Sequence, residues 1–182
     1  MKLFTKYSSQ DLLYIAIFSA LGLSVKPIIT PLIHLISSPL MIPGGSLAGG
    51  LYMMWLVLAI VIIKKPGAGF LVGFVQGVVM ISIGFFGNHG AVSIISYTLP
   101  GITAEIASFL LKNKDNLFSQ IMLCLFANIS GTIVVTILIM RLALIPLLIS
   151  LIAASISGMI GGIFSYSIYK KMIFYRLVSV HR

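Results

Sequence analysis

The chain has 182 residues, of which 59% are hydrophobic and only 8% are charged. About a quarter of the residues of a soluble domain are charged, so this composition excludes a soluble globular protein. The formal net charge of +9 would suggest nucleic-acid binding in a soluble protein. Here the basic residues punctuate long apolar runs, which is typical of a membrane protein. We therefore expect a lipid bilayer around the chain and no nucleic-acid partner.

Six apolar runs are long enough, at about 20 residues each, to cross a bilayer as helices. They cover residues 11–31, 46–63, 67–86, 92–111, 117–139 and 144–169. The first run is interpreted as a mature helix and not as a signal peptide, because five spans follow it and Lys26 and Pro27 stand where a cleavage site would be expected. The predicted fold is an all-α integral membrane protein, with a single six-helix transmembrane domain over residues 1–182.

Basic residues are distributed unevenly between the two sides of these spans. Ten of the twelve Lys and Arg residues fall in the termini and in the second and fourth connections, and these are Lys2, Lys6, Lys64, Lys65, Lys112, Lys114, Lys170, Lys171, Arg176 and Arg182. Only Lys26 and Arg141 lie near the opposite side. The positive-inside rule then predicts that both termini are cytoplasmic.

Small residues recur along three spans. The first span carries Ala16 and Ala20 in an AxxxA element, which is a possible partner-docking face. The third and sixth spans carry longer stripes, which are Gly69, Gly73 and Gly77, and Ala154, Ser157, Gly158, Gly161, Gly162 and Ser165. Such stripes favour close helix packing, with a sliding surface as the alternative. The single cysteine, Cys124, is interpreted as a packing residue.

Polar residues inside the spans predict a buried layer. At a rise of ~1.5 Å per residue, Glu105, Gln76 and Asn128 lie roughly 10 to 16 Å from the lysine-rich ends of their spans. Uncompensated polar groups are costly in hydrocarbon, so this layer should face the bundle interior, with Glu105 protonated or hydrogen-bonded to Gln76 or Asn128. Thr132 and Thr136 extend the face of Asn128. Structural hydrogen bonding, the floor of a ligand cavity and a proton relay are the three interpretations.

A second polar group is predicted in the half away from the lysine-rich side. Its members are Lys26, His34, Trp55, Asn88, His89, Tyr97 and Arg141. Aromatic walls with a few polar groups at the mouth are typical of a small-molecule site, and Asn128 would contribute to its floor. Other interpretations remain for individual residues: Tyr97 and Arg141 as interfacial anchors, Lys26 as a snorkelling side chain and His34 as a solvent-exposed loop residue.

No catalytic pattern is visible in the sequence. The three acidic residues, Asp11, Glu105 and Asp115, are too few for a two-metal carboxylate site, and there is no HExxH, GxSxG or P-loop motif. We therefore expect no enzyme activity, no catalytic residue, no cofactor and no metal site. Any energy for transport would come from partner proteins.

Several short motifs resemble those of the substrate-binding S components of energy-coupling-factor (ECF) vitamin transporters. The residues that carry the resemblance are Ala16-Ile17-Phe18-Ser19-Ala20, Lys65-Pro66-Gly67-Ala68, Gly87-Asn88, and Gly101 with Ala104-Glu105. The last three motifs are similar to the hydroxymethylpyrimidine/thiamine permease branch. The overall pattern covers nearly the whole chain.

This resemblance implies an ECF S-component-like bundle with N-in/C-in topology and a place in an ABC importer of the cell membrane. The implied partners are the transmembrane coupling subunit, docked at Ala16 and Ala20, and two cytoplasmic ATPases. A vitamin or vitamin precursor would be captured from outside. Because Lys26 and Arg141 stand in the outer half without an acid, the ligand should be neutral or anionic and not thiamine itself. An intramembrane enzyme and a small structural or channel protein are the alternatives.

Overall fold

The computed structural model describes residues 7–39, 42–83, 92–111 and 113–176. These residues form an all-helical bundle, and they contain no β-strand. The helices are α1 (Ser9–Ser24), α2 (Lys26–Ser37), α3 (Gly44–Ile63), α4 (Ala68–Ile83), α5 (Ser93–Leu110), α6 (Leu117–Val134, continued by a π-helical turn over Val135–Ile139) and α7 (Leu144–Phe174). Helices α1 and α2 follow each other directly and together form the first of six spans.

Four of the spans are long and apolar enough to cross a membrane by length and composition. They are the combined α1–α2 segment, α3, α6 with its π-helical turn, and α7. Helix α4 is a shorter apolar helix. In lipid every backbone polar group needs an internal partner, which explains why the described chain is helical almost throughout.

The first and last spans are longer than the sequence pattern predicted. The first continues to Ser37 instead of residue 31, and α1 is followed by α2 at Val25. Pro27 and Pro31 both lie in α2 and lack the N–H that would continue the helical ladder. The last span continues to Phe174 instead of residue 169, because the amphipathic segment around Lys170 extends the same helix.

Helix α3 is the centre of the bundle. It contacts each of the other six helices. Around it, α1 contacts α4, α4 contacts α5, α5 contacts α6 and α6 contacts α7, but α1 and α7 share no substantial contact. The segment from Leu56 to Val61 is at most 1% exposed. A helix that is apolar on all faces is typical of such a buried position.

Glycines allow the neighbouring backbones to approach closely, as the small-residue stripes predicted. A Cβ atom on Gly158 would stand 2.8 Å from Leu125 Cα of α6, and one on Gly161 would overlap the backbone of Gly50 in α3. Gly69 of α4 faces the carbonyl of Gly101 in α5 in the same way. These stripes therefore serve helix packing.

Two ion pairs hold the connections together at one end of the bundle. Lys65 pairs with Asp11 at 2.5 Å and Lys64 pairs with Asp115 at 2.7 Å. The Tyr7 hydroxyl donates to the carbonyl of Pro66 at 2.7 Å. These contacts place the N-terminal end and the second and fourth connections on one face, as the charge distribution predicted. We call it the lysine-rich face.

Replacing Gly161 by alanine should destabilise the protein, because the new methyl group meets backbone that has no rotamer to change. Overpacking of this kind typically costs about 1–3 kcal/mol of unfolding free energy. Thermal unfolding in detergent would measure it. Gly45→Ala is the matched control, since a Cβ there meets nothing within 4 Å. Equal melting temperatures for the two variants would contradict the packing assignment.

Candidate functional site

Two connected cavities open at the end of the bundle opposite the lysine-rich face. The outer cavity contains about 1440 Å³ of empty space and the inner cavity about 620 Å³, and both volumes include space that is open to solvent. The outer cavity lies between α2, the beginning of α3 and the end of α6. The inner cavity continues between α3, α4, α5 and α6. Six residues line both and so mark the passage between them: Lys26, Pro43, Gly45, Tyr52, Tyr97 and Val135.

Lys26 is placed in this passage by the junction of α1 and α2. Its ammonium nitrogen lies 3.7 Å from the ring centroid of Tyr97 and 5.1 Å from that of Tyr52. The Tyr52 hydroxyl is in turn 3.2 Å from Thr30 Oγ1, one turn further along α2. Neither ion pair found among the described residues involves Lys26. Its side-chain nitrogen therefore faces two aromatic rings and no carboxylate of the described chain.

The inner cavity has a polar lining that includes Gln76, Ser96, Asn128 and Thr132. The amide nitrogen of Asn128 donates to the carbonyl of Ala154 at 2.8 Å and to that of Ser46 at 3.4 Å. These bonds tie α6 to α7 and α3 and fix the orientation of the amide. Thr132 Oγ1 is buried, and no hydrogen-bond partner for it is found among the described residues. Buried polar groups are normally hydrogen-bonded, so this hydroxyl is an exception beside the inner cavity.

The π-helical turn at Val135–Ile139 begins just beyond Thr132. Both of its end residues line the outer cavity, and Val135 lines the inner one as well. The Thr136 hydroxyl donates to the carbonyl of Thr132 at 2.8 Å, which satisfies it inside the helix. π-Helical turns are rare in proteins, and those that occur are often found at functional sites.

The structure brings together some of the predicted site residues and separates others. Lys26 and Tyr97 line both cavities, His34 lines the outer one and Asn128 the inner one. Asn88 and His89 lie outside the described residues.

Trp55 and Arg141 line neither cavity. Trp55 packs against the hydrophobic core on the side of α1, where its Cβ lies near Gly22. Arg141 is exposed in the connection between the π-helical turn and α7. Both residues were predicted from their depth in the membrane, and depth does not determine which face of a helix a residue occupies.

Tyr52 is a cavity residue that was not predicted from the sequence. It follows Gly45 and Gly49 at intervals of four and three residues, which places all three on one face of α3. That spacing was a usable signal for the cavity wall. Its aromatic partner Tyr97 was predicted.

The predicted polar layer is divided between two levels. Gln76 lines the inner cavity, and its amide nitrogen lies 3.5 Å from the carbonyl of Ser19. Glu105 instead accepts a hydrogen bond from the backbone N–H of Gly69 at 2.8 Å, so the expected bond to Gln76 or Asn128 is replaced by one to the start of α4. Gly69 and Gln76 are seven residues apart, or roughly 10 Å along the helix. Counting residues from the lysine-rich end of each predicted span gave similar depths, but such a count does not determine which groups on neighbouring helices are level with one another.

Glu105 therefore belongs to the lysine-rich end of the bundle. Its second carboxylate oxygen, Oε1, is buried without a partner among the described residues. Tyr7 lies near this carboxylate. Its burial, followed by the charges of Glu105 and Asp11, raises the pKa of the Tyr7 hydroxyl to about 12. The free N–H groups and positive dipole end at the start of a helix favour a carboxylate, so Glu105 acts as a cap for α4 supplied by α5.

Comparison with known families identifies the chain at the family level. Residues 10–131, about two thirds of the sequence, match the family described as "ABC-type cobalt transport system, permease component". The chain belongs to this permease family. No curated protein sequence matches it.

A solved structure confirms the fold of this family member. It is described as "Crystal structure of an S-component of ECF transporter" and superposes with a TM-score of 0.77. The comparison covers 94% of this chain and 88% of that one, at 17% sequence identity. The chain thus has the S-component fold that its motifs predicted, and it is a multi-pass protein of the cell membrane. Family and fold together support a substrate-binding membrane subunit of a transport system.

Removing the Glu105 carboxylate from this permease should loosen the start of α4. Glu105→Leu leaves the buried Gly69 N–H without an acceptor, which typically costs about 1–3 kcal/mol of unfolding free energy. Glu105→Gln keeps an acceptor oxygen at the same position and should unfold close to the wild type. Denaturant titration in mixed micelles would compare the two. If the Leu variant is as stable as the Gln variant, the capping role is wrong.

Proposed function

We propose that the protein is the substrate-binding subunit of an ECF-type ABC importer and captures a small vitamin or vitamin precursor. The proposed ligand is related to hydroxymethylpyrimidine or thiamine and is neutral or anionic. Transport, and not catalysis, is the proposed activity. The intramembrane enzyme is disfavoured because Glu105 and His34 belong to opposite ends of the bundle.

The observation that carries this proposal is the passage between the two cavities. A ligand that enters the outer cavity meets the Lys26 ammonium and the rings of Tyr52 and Tyr97 before it reaches the inner cavity. Aromatic faces suit a flat heterocycle, and the ammonium suits a carboxylate, phosphate or carbonyl oxygen. Beyond them, Asn128 and Thr132 supply polar groups for the edge of a ring. Binding sites for small organic molecules share this combination of apolar walls and few polar groups.

A cobalt ion is the second candidate, because the matching family is described as a cobalt transport system. Divalent cobalt prefers imidazole and carboxylate ligands. The described residues contain no group of three or more His, Cys, Asp or Glu side chains that could hold a metal ion. The cavities present Lys26, hydroxyl groups and amides instead, and the Lys26 ammonium would repel a dication. The donor set therefore favours an organic ligand.

The exposed side of α1 supports the proposed docking of a coupling subunit. Ala16 and Ala20 are both exposed, one turn apart on the same face. Ile15, Phe18 and Ser19 on the other side of α1 are buried in the bundle. Small exposed residues at this spacing let a partner helix approach closely. We propose that the coupling subunit binds there and that two cytoplasmic ATPases supply the energy.

The substrate proposal is tested by identifying what copurifies with the protein. When the purified protein is heated, mass spectrometry of the released small molecules should detect a heterocyclic vitamin precursor in near-stoichiometric amount. Elemental analysis of the purified protein should not detect a stoichiometric amount of cobalt. Lys26→Met should lower the recovery of an anionic ligand, since a charge-assisted hydrogen bond typically contributes about 1.5–3 kcal/mol. Recovery of stoichiometric cobalt, with no organic ligand, would refute the proposal.

The docking proposal is tested by adding bulk to the exposed face of α1. The double variant Ala16→Trp, Ala20→Trp should lose uptake in cells that contain the energising partners, while the isolated variant binds ligand normally. Ile152→Trp is the matched control, because this α7 residue is 62% exposed on a different side of the bundle. Normal uptake by the double variant would remove the docking assignment.

A further inference from the structure

The side-chain nitrogen of Lys26 lies over two tyrosine rings. It is 3.7 Å from the centroid of Tyr97 and 5.1 Å from that of Tyr52. Both distances are within the range of about 6 Å at which a cation is attracted by the face of an aromatic ring. The same three residues are among those that line the passage between the two cavities. We call Tyr52 and Tyr97 the tyrosine pair.

Paired aromatic faces are a general receptor for organic cations, quaternary ammonium groups included. Such a receptor in an open cavity would normally be available to a cationic ligand. In this protein it is filled by a side chain of the same chain. No ion pair involving Lys26 is present in the described part of the chain that would draw the ammonium elsewhere.

The local backbone keeps Lys26 in this position. Lys26 is the first residue of α2, and Pro27 follows it with a fixed φ angle. Thr30, one turn later, contacts the Tyr52 hydroxyl at 3.2 Å and so joins α2 to the tyrosine pair. Tyr97 lines the same passage. The start of α2 therefore places the backbone of Lys26 beside the tyrosine pair, within reach of its side chain.

We propose that Lys26 determines the charge selectivity of the site by occupying a cation receptor. While the ammonium fills the tyrosine pair, a cationic ligand meets both an occupied receptor and a like charge, whereas an anionic group gains a charge-assisted contact. Removing the ammonium should do more than weaken anion binding. It should expose the tyrosine pair and reverse the preference towards cations. This inference rests on the proposed function only in that the cavities admit small molecules.

Three small molecules of equal shape separate charge from size: choline, its neutral carbon analogue 3,3-dimethylbutan-1-ol, and the anion 3,3-dimethylbutanoate. Their affinities for the purified full-length protein in detergent can be measured by ligand-observed NMR. We expect the wild type to bind the anion best and choline worst. In Lys26→Met we expect choline to bind roughly tenfold more tightly than the neutral analogue, because the vacated rings then act on a desolvated cation.

Two further variants make the result specific. Lys26→Arg keeps a cation at the tyrosine pair and should keep the wild-type order of affinities. Adding Tyr97→Leu to Lys26→Met removes the nearer ring and should abolish the gain for choline, while Tyr97→Phe should retain most of it. Lys26→Gln replaces Lys26→Met if the Met variant does not yield folded protein, as judged by thermal unfolding.

The proposal is overturned if Lys26→Met ranks the three compounds as the wild type does, if it binds none of them, or if its preference for choline survives the loss of the Tyr97 ring. These outcomes are independent of the natural substrate. A reversal of selectivity without a copurifying vitamin precursor would uphold this inference and refute the proposed substrate. A copurifying precursor without the reversal would do the opposite.

Discussion

The bundle depends on the contact between the backbones of α3 and α7 at Gly50. The N–H of Gly50 donates to Ser157 Oγ at 3.0 Å, and a Cβ on either Gly50 or Gly161 would overlap backbone of the other helix. Cys124 of α6 contacts the carbonyl of Gly50 from a third side, with its sulfur 3.6 Å away. Hydrophobic driving force between helices is weak in lipid, so such close contacts and interhelical hydrogen bonds must hold the centre.

The cavities follow from the way this centre opens towards one end. One turn of α3 before Gly50, the amide nitrogen of Asn128 donates to the carbonyls of Ser46 and Ala154. The Asn128 side chain therefore lies between α3, α6 and α7 and joins them. Beyond that level, α6 changes to a π-helical turn, and residues of this turn and of α2 line the outer cavity. The helices leave the two cavities between them. The closed part of the bundle thus provides the floor, and the π-helical turn and α2 provide walls.

Most of the fold could be predicted from the sequence. Long apolar runs indicate the membrane spans, and the positions of the lysines indicate which ends of the spans lie on the same side. The glycine stripes likewise predicted close packing, which the structure confirms at Gly158 and Gly161. The π-helical turn at Val135–Ile139 could not be predicted, because it lies inside the apolar run that predicted the span over residues 117–139.

The candidate site was less predictable than the fold. Depth along a helix follows from counting residues, but the face that a residue presents depends on where the neighbouring helices lie. Lys26, Tyr97 and Asn128 line the cavities, whereas Trp55, at a similar depth, packs towards α1. Glu105 shows the same limitation along the helix axis, because its backbone partner in α4 leaves no trace in the pattern of side chains.

The ion pairs of the lysine-rich face have a consequence for the position of the protein in the bilayer. Asp11 and Asp115 are each already paired with a lysine, and Lys170, Lys171 and Arg176 form no ion pair with an acidic residue of the described chain. Basic groups at a membrane surface are attracted to anionic headgroups by about 1 kcal/mol each. This attraction favours an orientation in which the lysine-rich face stays among those headgroups. Tilting that lifted the face out of the headgroups would lose this attraction.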